Sequence, residues 1–178
     1  MEEILQLKRQ LEQNRPAQWD ELPDLALYMD QLIAYMPRQL IQFLPGEGLT
    51  SAMVNNYIKD GLVPRARGKR YGPEHLGYLT AVCAIKKVLS VRDMKILLTS
   101  GQETGKEAPQ LYQSFCSALD RALLDTADTI TGDEEQEDLP CLALMLALHS
   151  YSYQLACSCI LEILSPTEDT GKEKKPKK

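Results

Sequence analysis

The chain has 178 residues, 44% of them hydrophobic, with 20 Lys and Arg against 25 Asp and Glu for a net charge of −5. It is long and apolar enough to bury a real core, and alternation of Val, Ile and Thr is missing outside one short stretch, which excludes a sheet-built fold and predicts a mainly α-helical one. The charge is segregated: residues 50–99 hold nine Lys or Arg against three acids, +6, and the remainder of the chain carries −11.

In chain order, residues 2–14 place Ile4, Leu5, Lys8 and Leu11 at helical spacing and predict an amphipathic helix ended near Pro16. The acidic opening and the missing apolar run argue against a secretory or transit segment. Residues 38–43 are expected to form the first helix of a helix-turn-helix, with Pro45-Gly46-Glu47-Gly48 as the turn. A second helix starts at Thr50 or Ser51, whose hydroxyl suits an N-cap, and stops at Gly61, which suits the left-handed residue past a helix end. On its wheel Val54, Tyr57 and Ile58 cluster on one side, and Ala52, Asn55, Asn56 and Lys59 fall on the other. After Leu62-Val63-Pro64, the run Arg65-Ala66-Arg67-Gly68-Lys69-Arg70-Tyr71 reads as a short basic β-hairpin with Gly68 at its tip.

Gly72-Pro73-Glu74 opens a helix, Pro being tolerated at its first position and the acid favoured there by the helix dipole. Leu76, Leu79, Val82, Cys83, Ile85, Val88 and Leu89 form its apolar side. Ser90, with Asp93 three residues on, caps a further helix whose apolar side is Met94, Ile96, Leu97 and Leu98. Downstream, Leu111, Phe115, Leu119, Ala122, Leu123, Thr126 and Ile130 mark a stripe, and the acids from Asp133 to Asp138 read as a solvated linker. Residues 139–161 are almost free of charge and long enough to cross a bilayer. However, their centre, His149-Ser150-Tyr151-Ser152-Tyr153-Gln154, is polar, and the Lys-rich tail would hold itself inside a cell and push the basic region outside. A helix shared between two subunits or packed centrally is therefore expected rather than a membrane span. Residues 166–178 are expected to be a disordered charged tail.

A local basic surface in an acidic protein suits a polyanion, because neutralising phosphates releases condensed counterions. Asn amides can pair bidentately with adenine in a major groove, and Lys59 can reach phosphate or guanine. The candidate DNA-binding residues are thus Ser51, Ala52, Asn55, Asn56 and Lys59 on the helix, and Arg65, Arg67, Lys69, Arg70 and Tyr71 on the hairpin. No catalytic constellation, phosphate-cradling glycine pattern or nucleophile elbow is present, so no enzyme is expected. Five cysteines form no Cys-x-x-Cys pair, so neither a metal nor a cofactor is expected, and their odd count predicts reduced thiols in a cytoplasm. His75 and His149 are expected to be structural.

The stretch Tyr57-Ile58-Lys59-Asp60-Gly61-Leu62-Val63-Pro64, followed by Lys69-Arg70-Tyr71 and Ser90-Val91-Arg92-Asp93-Met94-Lys95, resembles the winged helix-turn-helix of MerR-type transcription regulators. Leu22-Pro23-Asp24-Leu25-Ala26-Leu27-Tyr28-Met29-Asp30-Gln31, with Met53-Val54-Asn55-Asn56-Tyr57, resembles the bacterial family known as domain of unknown function 1836. The chain departs from the MerR pattern at Asn55 and Asn56, where an arginine and an aromatic are usual, and at Gly68 and Lys69, where the wing carries tyrosine and arginine. The resemblance implies an all-α, MerR-like winged helix-turn-helix with a small β-hairpin wing, flanked by N- and C-terminal helices. The expected organisation is N-terminal helices at 1–36, the DNA-binding unit at 37–100, a C-terminal helical region at 106–165 and the tail at 166–178. Expected partners are duplex DNA and a second copy of the chain joined through the C-terminal helices, as in MerR-type proteins; no effector is named by the residues. The alternative is a protein-interaction module that keeps the winged shape without binding DNA.

Overall fold

The computed structural model of the chain describes residues 2–39 and 48–165, and among these it contains seven α-helices. They are α1 (Glu2–Gln13), α2 (Met29–Tyr35), α3 (Ser51–Lys59), α4 (Pro73–Ile85), α5 (Val91–Glu103), α6 (Ala108–Asp128) and α7 (Leu139–Leu164), with 3-10 turns at Trp19–Glu21 and Met36–Arg38. The helix expected at 38–43 and its following turn fall mostly on residues outside those described. The described helix preceding α3 is α2, extended by the Met36–Arg38 turn.

Local chemistry sets most helix ends where the residue pattern places them. Thr50 caps α3 by accepting the Met53 amide at 3.3 Å, and Gly61 follows the helix at φ +77°. Ser90 caps α5 by accepting the Asp93 amide at 3.2 Å and also donates to the Asp93 carboxylate at 2.7 Å. Helix α4 stops at Ile85, short of Val88, which is half exposed instead of continuing the apolar side.

One core gathers α2 to α6. Leu32 and Met36 meet Val54 of α3, Leu62 and Val63 of the following loop, Leu76, Leu79 and Val82 of α4, Met94 of α5, and Tyr112 and Cys116 of α6. This core crosses the expected boundaries near residues 36 and 100, so the segments on either side of each share one hydrophobic interior. Gly77 lets α4 approach α6 closely: a Cβ there would meet the Tyr112 ring at 3.1 Å. Tyr112 also donates its hydroxyl to the Ala17 carbonyl at 2.8 Å, next to buried Gln39, which accepts the Ala17 amide. The face of α6 that is buried thus runs through Tyr112, Cys116 and Ala127, while Ala122 of the expected stripe is exposed.

A second, smaller cluster joins Leu11 of α1 to Ala127 and Ile130 at the end of α6, with Leu142 of α7 packed against it. Lys8 donates to the Ile130 carbonyl at 2.6 Å, and Arg15 pairs with Asp120. Helix α7 lies against α5, where Leu161 is buried and Glu162 faces Arg92 at 3.8 Å. The far side of α7 is bare: Leu144, Leu148, Tyr151 and Leu155 are 50–60% exposed.

The expected β-hairpin wing is not formed, and the fold is all-helical with no strand among the described residues. Arg67 and Arg70 exchange one reciprocal pair of backbone hydrogen bonds, both 3.1 Å, around Gly68 at φ +60° and Lys69 at φ +62°. Two central residues at positive φ mark a type I′ turn. The ladder stops after that single rung because its next partners are taken. A second rung would need the Gly72 amide on the Arg65 carbonyl. Instead the His75 ring stands between them, Nδ1 accepting from Gly72 at 3.0 Å and Nε2 donating to Arg65 at 3.3 Å. Tyr71 turns its backbone away from the hairpin and pairs with Leu27, at 2.8 and 2.9 Å.

Candidate nucleic-acid interface

Helix α3 is short, and its orientation is fixed by what it buries. Val54 is fully buried and Tyr57 and Ile58 half-buried, so the opposite side carries Ser51, Ala52, Asn55, Asn56 and Lys59 to the surface, all exposed. Immediately past Gly61, the Leu62 and Val63 amides both return to the Tyr57 carbonyl, and both side chains enter the core. That anchor holds the start of the basic loop close to the helix end. The Lys95 side chain of α5 lies beside Gly61, with Cε and Nζ 3.9 Å from where a Cβ would stand.

In the loop, Arg65, Arg67, Lys69 and Arg70 are all exposed. Tyr71 is not: its side chain is 6% exposed and meets the His75 ring edge-on, with centroids 5.4 Å apart. It is a core residue that anchors the loop, so its expected place on the contact surface is corrected. The reason is the backbone pairing with Leu27, which fixes Tyr71 against the α4 N-terminus. His75 is 1% exposed and uses both ring nitrogens to hold the loop, matching its expected structural role.

The cations have unequal surroundings. Arg67 has Glu74 at 3.8 Å, but it is 88% exposed, a geometry in which an ion pair contributes little. Arg70 donates Nη2 to the Tyr28 hydroxyl at 2.9 Å and lies over the Tyr28 ring, 4.7 Å from its centroid. Arg92 is exposed and lies near the end of α7, with exposed Glu162 at 3.8 Å and the Ser165 hydroxyl at 3.4 Å. The cationic segment of the sequence is therefore divided, with its first part on the loop after α3 and Arg92 of its second beside the end of α7.

Sequence reading missed Tyr28 and the loop-bridging geometry of His75. His75 stands at the third position of α4, where a side chain commonly reaches back to a capping amide, and that spacing was a usable signal. For Tyr28, 42 residues from Arg70, only the fold could supply the contact. Among the described residues no group of three or more His, Cys, Asp or Glu side chains gathers in a metal-binding arrangement.

These features define a helical domain that presents a capped polar helix face together with a tightly pinned cationic turn. The chain belongs to the family described as Domain of unknown function (DUF1836), whose model matches residues 17–115, more than half its length. The matched segment covers the main core from half-buried Ala17 to half-buried Phe115, with Cys116 one residue beyond it. Helices α1 and α7 and the distal part of α6 lie outside it. No curated protein and no solved structure matches the chain.

Proposed function

We propose that this protein is a DNA-binding transcription regulator that reads duplex DNA with the outer face of α3 and grips phosphates with the turn between Arg67 and Arg70. The observation carrying this reading is an exposed Asn55, Asn56 and Lys59 face followed, after a buried two-residue anchor, by exposed Arg65 and a turn with three more exposed cations, in an acidic chain. Asn amides have the donor and acceptor pair that adenine presents in a major groove, while Arg65, Lys69 and Arg70 supply position and affinity without sequence choice. The residues from Tyr57 to Pro64 and Lys69-Arg70-Tyr71 resemble the pattern of MerR-type regulators, which supports this reading, although a one-rung turn stands where those proteins carry a wing. The role is one of binding, not catalysis, and a cytoplasmic location follows from it.

The regulator acts as a homodimer through α7. Its bare Leu144, Leu148, Tyr151 and Leu155 follow a four-three-four spacing, the seam of a helix pair. The stripe carries no charge, so two copies can meet without repulsion, and the spacing reads alike in both directions, as a two-fold contact requires. Helix α7 is also long and apolar enough to cross a membrane, which supports a second reading as a membrane-attached regulator. Fractionation of cells separates the two, the dimer appearing in the supernatant and the attached form in the pellet.

A gel shift against genomic fragments at two salt concentrations tests the main reading. The wild type should bind, and binding should weaken steeply with salt. Lys69→Asn removes a charge while keeping a residue tolerant of positive φ, and should lower the slope of log affinity against log salt by about 0.9. Asn55→Ala should change which fragments are retained. Salt-independent binding, or none, refutes the assignment in favour of a protein-interaction module.

A further inference from the structure

We propose that Tyr28 is a positioning residue of this same surface: it seats the Arg70 guanidinium so that Arg70 contributes more phosphate affinity than the other cations of the turn. The inference rests on the polyanion-binding reading. It begins from a contact made by two surface residues. Tyr28 is 48% exposed and Arg70 is exposed, yet ring and guanidinium are stacked at 4.7 Å and joined by a 2.9 Å hydrogen bond.

The fold does not need this contact in order to close. Leu27 and Tyr71, the chain neighbours of the two residues, already exchange two backbone hydrogen bonds, and Tyr71 is buried. That pairing brings Tyr28 alongside Arg70. What the stack adds is direction. An arginine side chain has many rotamers, most of which are lost when it grips a phosphate; one already held on an aromatic face loses fewer. Tyr28 takes one of the two N–H bonds of Nη2; among the described residues Nε and Nη1 meet no acceptor, and the remaining Nη2 N–H completes with one of them the fork that matches two phosphate oxygens. Arg67 differs, having a carboxylate beside it, and Lys69 offers a point charge without a fork.

The separable signature is that Tyr28 carries no charge. Removing it should weaken binding without changing the number of phosphates neutralised, whereas removing Arg70 should change that number. The full chain is titrated with a fluorescein-labelled random-sequence duplex across a series of salt concentrations. Tyr28→Ala should weaken binding by about two- to five-fold, the range of an exposed cation–π contact, with the salt slope unchanged. Arg70→Ala should lower that slope by about 0.9. Tyr28→Phe, which keeps the ring face and loses the hydroxyl, should fall between wild type and Tyr28→Ala. In the Arg70→Ala background, Tyr28→Ala should have no further effect, because the two act through one group.

Wild-type affinity in Tyr28→Ala overturns the inference, as does an equal loss with and without Arg70, which would make Tyr28 an independent contact. In either case the salt slope of the wild type still stands and the surface remains a phosphate binder. A wild type with no salt-dependent binding overturns the underlying reading and this inference together, and is recognised by flat titrations for every variant.

Discussion

At Gly77 a single methyl group decides how closely two helices pack. The Cβ it lacks would stand 3.1 Å from the Tyr112 ring, which its hydroxyl ties to the Ala17 carbonyl, and 3.4 Å from Trp19. Gly77→Ala should cost about 1–3 kcal/mol, read as a lower midpoint in urea unfolding, despite the better helix propensity of alanine. The cysteines divide in the same way by burial. Cys83 and Cys116 are buried, and burial raises both thiols above their ordinary value of 9.0, with Lys86 partly opposing this at Cys83. Exposed Cys141 and Cys159 should therefore react with an alkylating reagent in the native protein, whereas Cys83 and Cys116 should react only on unfolding. The sign of the accompanying pH dependence follows. The folded state keeps its buried thiols protonated while the unfolded state loses those protons above about pH 9, so stability should fall from there upward, checked by melting at pH 8 and 10.

Among the elements, the basic loop shows most clearly how side chains can override a backbone pattern. Gly61 and Gly68 sit at the positive φ values that their positions suggested, and Thr50 and Ser90 cap as their chemistry suggested. Those features are local and could be read from neighbours in the chain. The second rung of the hairpin was lost because His75, three residues past Gly72, intercepts both of the groups that would have formed it. His75→Ala should leave the Arg65 carbonyl and the Gly72 amide without their partner, costing about 1–3 kcal/mol of stability. Hydrogen exchange should rise first at the Gly72 amide. Exchange unchanged there would mean that the ring does not hold the loop. On α3, the exposed face was legible from the wheel because Val54, Tyr57 and Ile58 share one side and only that side could enter the core. Tyr71 was misplaced because its burial is decided by Leu27, 44 residues away.

For the whole molecule the unmatched feature is α7, a helix of 26 residues whose apolar packing on the rest comes from Leu142 near one end and Leu161 near the other, with polar contacts from Gln154 to Val88 and from Glu162 to Arg92. A helix apolar on all sides is stable when covered on all sides. If α7 pairs with a second copy, Leu148→Glu should convert a dimer to a monomer, measured by light scattering, without lowering the helical signal, since Leu148 makes no core contact. A dimer surviving that change would place the interface elsewhere. What the sequence determined by itself was set by neighbours in the chain: helical content, capping residues, the segregation of charge and the polar face of α3. The tertiary structure alone decided which partners backbone groups and side chains found at long range. It brought Leu32 and Met36, Val54, Met94 and Tyr112 into one core, exchanged a wing for a bridged turn, placed Arg70 on Tyr28 and left one side of α7 exposed, because burial and hydrogen-bond competition are settled between residues far apart in sequence.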